Sequence, residues 1–188
     1  MQLSQQSDIE LVVRIQDGDA AAFEEFMLRY KRPVLNFVYR MLGNATDAED
    51  VAQEVFVRAY QRLGAFEIRS TEAKVSTWLF TLARNAVIDR LRWRNRHPVD
   101  SLESAPESSL STTTDAADEA SAHEIGRHIA DAVAVLPEDQ RTALVLAEYQ
   151  GLAYAEIAQV MNCSVKSIES RLYRAKQTLR KRLEFLMV

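Results

Sequence analysis

The sequence predicts an all-α protein of two small helical domains joined by a flexible acidic linker. Three observations predict it. The 188 residues include only 5 Gly and 4 Pro, and the abundant Ala, Leu, Glu and Arg favour helix over sheet. Apolar residues recur at helical spacing in both halves, and no strand alternation or repeat is visible. Between the halves, residues 98–122 are rich in Ser, Thr, Ala and acid, with too little apolar surface to order them. The expected boundaries are therefore 1–97, 98–122 and 123–188.

Helical punctuation places each element. Ser7 and Glu10 have capping-box spacing ahead of Ile9, Val12, Val13 and Gln16, and Gly18 ends that helix. A second helix starts near Asp19, carries Phe23, Phe26, Met27 and Tyr30 on one face, is kinked or restarted at Pro33, and ends at Gly43. Thr46 and Glu49 form another capping-box pair for a third helix carrying Val51, Val55, Phe56, Ala59 and Leu63 up to Gly64. Residues 65–76 read as a loop. A fourth helix runs from Ser76 or Thr77 through Trp78, Leu79, Leu82, Ile88 and Leu91 into a run of arginines. After the linker, periodicity returns at Ile125, Ile129, Val133 and Leu136. Pro137 opens the next helix at its first position, a favourable place for proline, and Gly151 closes it.

The charge is unevenly spread. Overall the chain is acidic, with 23 Lys+Arg against 27 Asp+Glu. Yet residues 84–97 hold Arg84, Arg90, Arg92, Arg94 and Arg96 against Asp89 alone, with Trp93 among them. Residues 166–182 form a second basic island, and Val99 to Glu124 contains acids but no Lys or Arg. Basic islands of this kind are the electrostatic footprint of nucleic-acid binding. Arginines at a helix C-terminus also complement its dipole, but that accounts for one or two, not five.

In YAEIAQVMNCSVKSIESRLYRAK two helices flank the turn Asn162, Cys163 and Ser164. This is a helix-turn-helix pattern, with Ile157, Ala158, Met161, Val165, Ile168 and Leu172 inward. Outward on the second helix lie Lys166, Ser167, Glu169, Ser170, Arg171, Tyr173, Arg174 and Lys176. Such a helix fits the major groove, where Arg reads guanine and Glu accepts from cytosine. The third helix instead turns Asp47, Asp50, Gln53, Glu54, Arg58 and Gln61 away from its apolar side, a docking face for a basic protein surface or acids that stabilise the helix start.

Several chemistries have no support in the residues. The histidines show no metal-ligand spacing with one another or with the lone Cys163, so no metal is expected. There is no P-loop and hence no nucleotide cofactor. No apolar run approaches the length of a membrane span and the first residues lack a signal-peptide pattern, so no membrane insertion and a cytoplasmic location are expected.

The stretches TDAEDVAQEVFVRAYQRLGAF, STWLFTLARNAVIDRLR and LPEDQRTALVLAEYQGLAYAEIAQVMNCSVKSIESRLYRAKQTLRK, in that order, resemble a bacterial RNA polymerase sigma factor of the extracytoplasmic-function (ECF) group. The resemblance implies a sigma2-like domain that binds core RNA polymerase and reads the -10 element, and a sigma4-like domain that reads the -35 element. It implies no enzymatic activity. Asp50, Gln53 and Glu54 would meet the beta-prime clamp helices, and the helix from residue 137 would touch the beta flap. Phe66, Arg69, Ser70 and Lys74, in the position of the specificity loop, would capture a flipped -10 base. Arg84, Asn85, Arg90 and Arg92 would hold the backbone around the opening duplex. Members are commonly restrained by an anti-sigma factor, so such a partner is expected. Glu169 stands where many members carry Lys or Arg, and it either reads a cytosine or orients Arg171.

The rival readings are a stand-alone helix-turn-helix regulator, which leaves the Arg-rich helix end unused, and an enzyme carrying such a module, which lacks a catalytic cluster. Promoter geometry suits the sigma-factor reading. The two elements lie about 70 Å apart, roughly two turns of B-DNA, and residues 99–124 reach about 90 Å at full extension.

Overall fold

The computed structural model describes residues 7–66, 74–97 and 116–187, and the described residues contain helices and no strand. The helices are α1 (Asp8–Gln16), α2 (Ala20–Leu42), α3 (Ala45–Leu63), α4 (Val75–Arg96), α5 (Ala116–Ala134), α6 (Glu138–Leu144), α7 (Tyr154–Met161) and α8 (Val165–Arg182). Residues Val145–Tyr149 continue α6 as a wider π-type turn. Arg69, Ser70 and residues 98–115 of the expected linker lie outside the described residues.

Local chemistry explains the helix boundaries. Ser7 and Glu10 form the expected reciprocal capping box on α1. Asp19 caps α2 through the amides of Ala21 and Ala22. Gly43 ends α2 in the left-handed region, at φ 71°, where a Cβ would be strained. For α3 the expected Thr46–Glu49 box is not used. Asn44 is the cap, accepting from the Asp47 amide at 2.8 Å, two residues before the one expected to cap the helix. Similarly, α4 begins at Val75 with no side-chain cap. Pro33 lies inside one continuous α2, held on its far side by buried Val34, Phe37 and Val38. Pro137 is the residue before α6 and not its first. Helical backbone already starts at Ala116, within the segment whose composition suggests a linker.

The N-terminal helices α1–α4 pack around Leu11, Phe26, Phe37, Met41, Leu63 and Leu79, all essentially inaccessible. Phe37 meets the edge of Phe80 with ring centroids 5.6 Å apart, which joins α2 to α4. Asp8 ties α1 to α2. It pairs with Arg29 at 2.6 Å and accepts from the Tyr30 hydroxyl. Burial, and then that carboxylate, push the Tyr30 phenol well above its ordinary pKa.

The C-terminal helices bury Leu136, Leu144, Leu146, Ile157, Ile168 and Leu172. Asn162 makes the helix-turn-helix corner in the left-handed region, at φ 49°, a conformation asparagine tolerates better than most. Ser164 then caps α8 through the Ser167 amide. One expectation is corrected here. Val165 is 41% exposed and does not join the inward set, because it is the first residue of α8 and stands beyond the packed face, whereas Ala175 is buried further along. The two halves share one apolar cluster, in which α7 lies against α4.

Phe37→Ala should therefore lower unfolding stability by about 3–5 kcal/mol, measured by urea denaturation followed by circular dichroism. A loss below about 1 kcal/mol would mean that the α2–α4 seam is not core.

Candidate promoter and polymerase interfaces

The arginines at the end of α4 do not act alike. Arg94 donates to Asp47 Oδ2 and, at 3.2 Å, to the Leu42 carbonyl at the end of α2. Arg90 lies 3.4 Å from Asp47 and 3.5 Å from Asp50. These two half-buried guanidiniums are thus engaged by the first turn of α3 and the last turn of α2, where acid and carbonyl supply negative charge. Arg92 and Asn85 are exposed, and so is Arg96, which folds back on the Arg92 carbonyl. Trp93 is 40% exposed, stacks on His97 at 4.9 Å and has Arg90 at 5.7 Å from its ring. The surface left for a nucleic acid is therefore Asn85, Arg92, Trp93 and Arg96.

Arg84 lies one face away, half-buried, and its buried Nε has no acceptor among the described residues. Phe66 packs edge-on against Trp78 at 5.2 Å, and its carbonyl accepts from Gln16 at 2.7 Å. Lys74, exposed at the start of α4, reaches Glu156 of α7 at 2.9 Å. Burial tends to raise the Glu156 carboxyl. The Ala153 amide and the Lys74 ammonium outweigh it and hold the group below the ordinary carboxylate range.

On α3, Gln53 and Glu54 are exposed, as is Asp50, while Glu54 also pairs with Arg58 one turn on. Beside them the sequence patterning missed a groove of about 730 Å³ between α2 and α3. Phe23, Met27, Phe56 and Tyr60 line it, together with the charged Lys31 and Glu49 and the amide of Gln53. Val57 and Tyr60 there are 56% and 62% exposed. Apolar residues on the supposedly polar side of α3 were the available signal. The groove admits an apolar helix face flanked by basic groups, one of the common modes of peptide recognition.

On α8 the exposed residues are Lys166, Glu169, Ser170, Tyr173, Arg174 and Lys176, with Ser167 half-buried. Lys176 pairs with Glu148 at 2.8 Å, and that carboxylate holds the ammonium above its ordinary pKa. Arg171 turns inward. It donates to Asp139 Oδ2 at 3.0 Å and to Cys163 Sγ at 3.1 Å, which joins α8 to α6 and to the turn. Asp139, not Glu169, orients Arg171. Nothing in the spacing of either residue signals a pair 32 positions apart.

The chain matches the family models Sigma-70 region 2 over residues 26–97 and Sigma-70 region 4 over residues 127–179. It is 36% identical to the RNA polymerase sigma-H factor of Pseudomonas aeruginosa, with 98% of each chain covered. It is 33% identical to the ECF RNA polymerase sigma-E factor of Escherichia coli K12, with 97% of each covered. Among solved structures it resembles CnrH in complex with the cytosolic domain of CnrY, at a TM-score of 0.71 and 26% identity over 95% of this chain and 98% of that one. The sigma factor RpoE in complex with the anti-sigma factor NepR from Bartonella quintana gives a TM-score of 0.68 and 25% identity over 86% and 96%.

The inward arginines should behave as structural groups. Arg171→Ala should lower the stability of the folded chain by about 1 kcal/mol, while Arg174→Ala should leave thermal unfolding unchanged. Equal melting curves for the two variants would remove Asp139–Arg171 from the set of stabilising contacts.

Proposed function

The chain belongs to the extracytoplasmic-function group of RNA polymerase sigma factors, and from that premise we propose how its residues divide the work of initiation. A factor of this group binds core RNA polymerase and directs promoter-specific transcription. In our reading, residues 1–97 carry polymerase binding and -10 recognition, 98–122 connect, and 123–188 read the -35 element.

The α2–α3 groove with Asp50, Gln53 and Glu54 beside it receives the beta-prime clamp helices. Its apolar floor supplies the buried area, and the carboxylates select a basic partner and speed encounter. The Asn85, Arg92, Trp93 and Arg96 surface of α4 lies along the opening duplex, the arginines on phosphates and the indole beside an unpaired base. Phe66, Arg69, Ser70 and Lys74 attend the flipped -10 base, with Arg84 and Arg90 in support. Lys166, Ser167, Glu169, Ser170, Tyr173 and Arg174 face the major groove of the -35 element, with Lys176 on its flank and Arg171 held behind them. The α6 region meets the beta flap.

Strand opening draws on capture of unpaired bases, so the protein performs no catalysis of its own, and it acts where the polymerase is, in the cytoplasm. No described helix is long and apolar enough to cross a membrane. The complex of the sigma factor RpoE with the anti-sigma factor NepR supports control of this chain by an anti-sigma factor as well. The observation that carries the reading is the coexistence, on one acidic chain, of two exposed basic helix faces and a separate apolar groove beside which Asp50, Gln53 and Glu54 stand exposed.

Two variants separate the surfaces. Glu54→Arg should reduce binding to core polymerase at least tenfold while leaving helicity intact. Arg174→Ala should retain core binding and lose most promoter-specific transcript. Pull-down on core enzyme and run-off transcription on a cognate promoter read the two effects. Core binding retained in Glu54→Arg, or lost in Arg174→Ala, would contradict the division.

A further inference from the structure

We propose that Gln16 is a positioning residue for -10 recognition. From the end of α1 it fixes the backbone turn that carries Phe66, and so sets how Phe66 meets the flipped base. The inference rests on the assignment of Phe66 proposed above.

Three hydrogen bonds carry it. The exposed Gln16 side chain donates through Nε2 to the Leu63 carbonyl at 3.1 Å and to the Phe66 carbonyl at 2.7 Å. A side-chain amide has two N–H groups, and here both go to acceptors, 47 and 50 residues further along the chain. The Phe66 amide itself donates to the Leu63 carbonyl at 3.1 Å. The turn that leaves α3 is therefore closed twice, by its own backbone and by one side chain from α1. A helix cap would need only the Leu63 carbonyl, which belongs to the group that a helix end leaves unsatisfied. The second bond reaches past the helix to Phe66, whose half-buried ring lies edge-on to Trp78 in the first turn of α4. Trp78 thus restrains the ring, and Gln16 restrains the backbone from which the ring projects.

The start of α4 has a separate anchor. The Tyr30 hydroxyl, which donates to Asp8, also takes a hydrogen bond from Ser76. Asp8 and Gln16 are the first and last residues of α1, a helix about 13 Å long at 1.5 Å per residue. One short helix, itself held by buried Leu11 and Val12, braces Phe66 at one end and Ser76 at the other. Loss of the Gln16 bonds therefore releases the Phe66 side alone. Stacking by itself accepts any base, so discrimination depends on where the ring is held. A ring held in place beforehand also avoids the cost of ordering it when the base arrives.

The test uses holoenzyme formed from the full chain and core polymerase, in run-off transcription on the promoter mapped for this chain. Each of the four bases is placed in turn at every -10 position. The readout is the transcript ratio between the preferred base and the next, at the position that discriminates most. Gln16→Glu keeps the side-chain shape and exchanges the donor for an acceptor facing two carbonyl oxygens. It should lower that ratio roughly fivefold, with core binding, -35 base preference and thermal unfolding unchanged. Gln16→Lys, which returns an N–H donor on a chain of similar reach, should restore most of the ratio. Phe66→Leu, which keeps the apolar packing and removes the ring, should lower the ratio at least as far as Gln16→Glu. An equal loss of transcript for all four bases, at an unchanged ratio, would make Gln16 a structural group only and overturn the proposal. So would an unchanged ratio in Gln16→Glu where Phe66→Leu lowers it. An unchanged ratio in Phe66→Leu would overturn the -10 assignment of Phe66, and the proposal with it.

Discussion

The Asp47 carboxylate is the joint on which the N-terminal domain depends. It sits in the first turn of α3, and Arg90 and Arg94 reach it from the far end of α4. Arg94 also takes the last carbonyls of α2 through Leu42. The end of α2 and the acids at the start of α3 are thereby tied to the far end of α4 by two guanidiniums. That tie fixes the rotation of α4, which in turn decides which of its side chains reach solvent. Arg92, Trp93 and Arg96 face outward because Arg90 and Arg94 face inward. An arginine-rich helix end on an acidic protein is thus a mixture of scaffold and ligand-facing groups, and the scaffold members are what make the others presentable.

The same division recurs on the recognition helix. Arg171 is spent on Asp139 and Cys163, leaving Tyr173 and Arg174 free on the outer face. In both helices the inward arginine meets an acid near the start of an earlier helix, where the dipole also favours negative charge. The acids of these first turns therefore serve twice, once for their own helix and once for a basic helix packed across it. Asp50 extends the pattern, being within reach of Arg90 and beside the groove that we assign to polymerase. The faces that we assign to polymerase and to promoter are separated by a single ion-pair cluster.

Much of the architecture was legible in the chain because it follows from local rules. Apolar spacing and Gly, Ser and Asp punctuation located the four N-terminal helices and the helix-turn-helix within a few residues, and the order of motifs identified the family. Two local expectations did not hold: Asn44, not Thr46, caps α3, and α2 runs unbroken through Pro33. The roles of Arg90, Arg94 and Arg171 were not legible at all. Their partners lie in other helices, at separations that no periodicity encodes, and in sequence an arginine bound to Asp looks like one awaiting a phosphate. The α2–α3 groove was hidden for a related reason, since Val57 and Tyr60 looked like ordinary members of an amphipathic helix until the packing left them uncovered.

The physical problem the protein solves is to keep two DNA-reading faces on a chain whose overall charge repels DNA, and to make them effective together only on polymerase. The groove and the outward arginines each address one part of that problem. The most direct test of the whole is mapping of transcription start sites in vitro, with core polymerase from the native host and a genomic template library, with and without the protein. The account predicts discrete new starts that share a -10 and a -35 motif at fixed spacing. Core polymerase that binds the protein yet gains no new starts would contradict it.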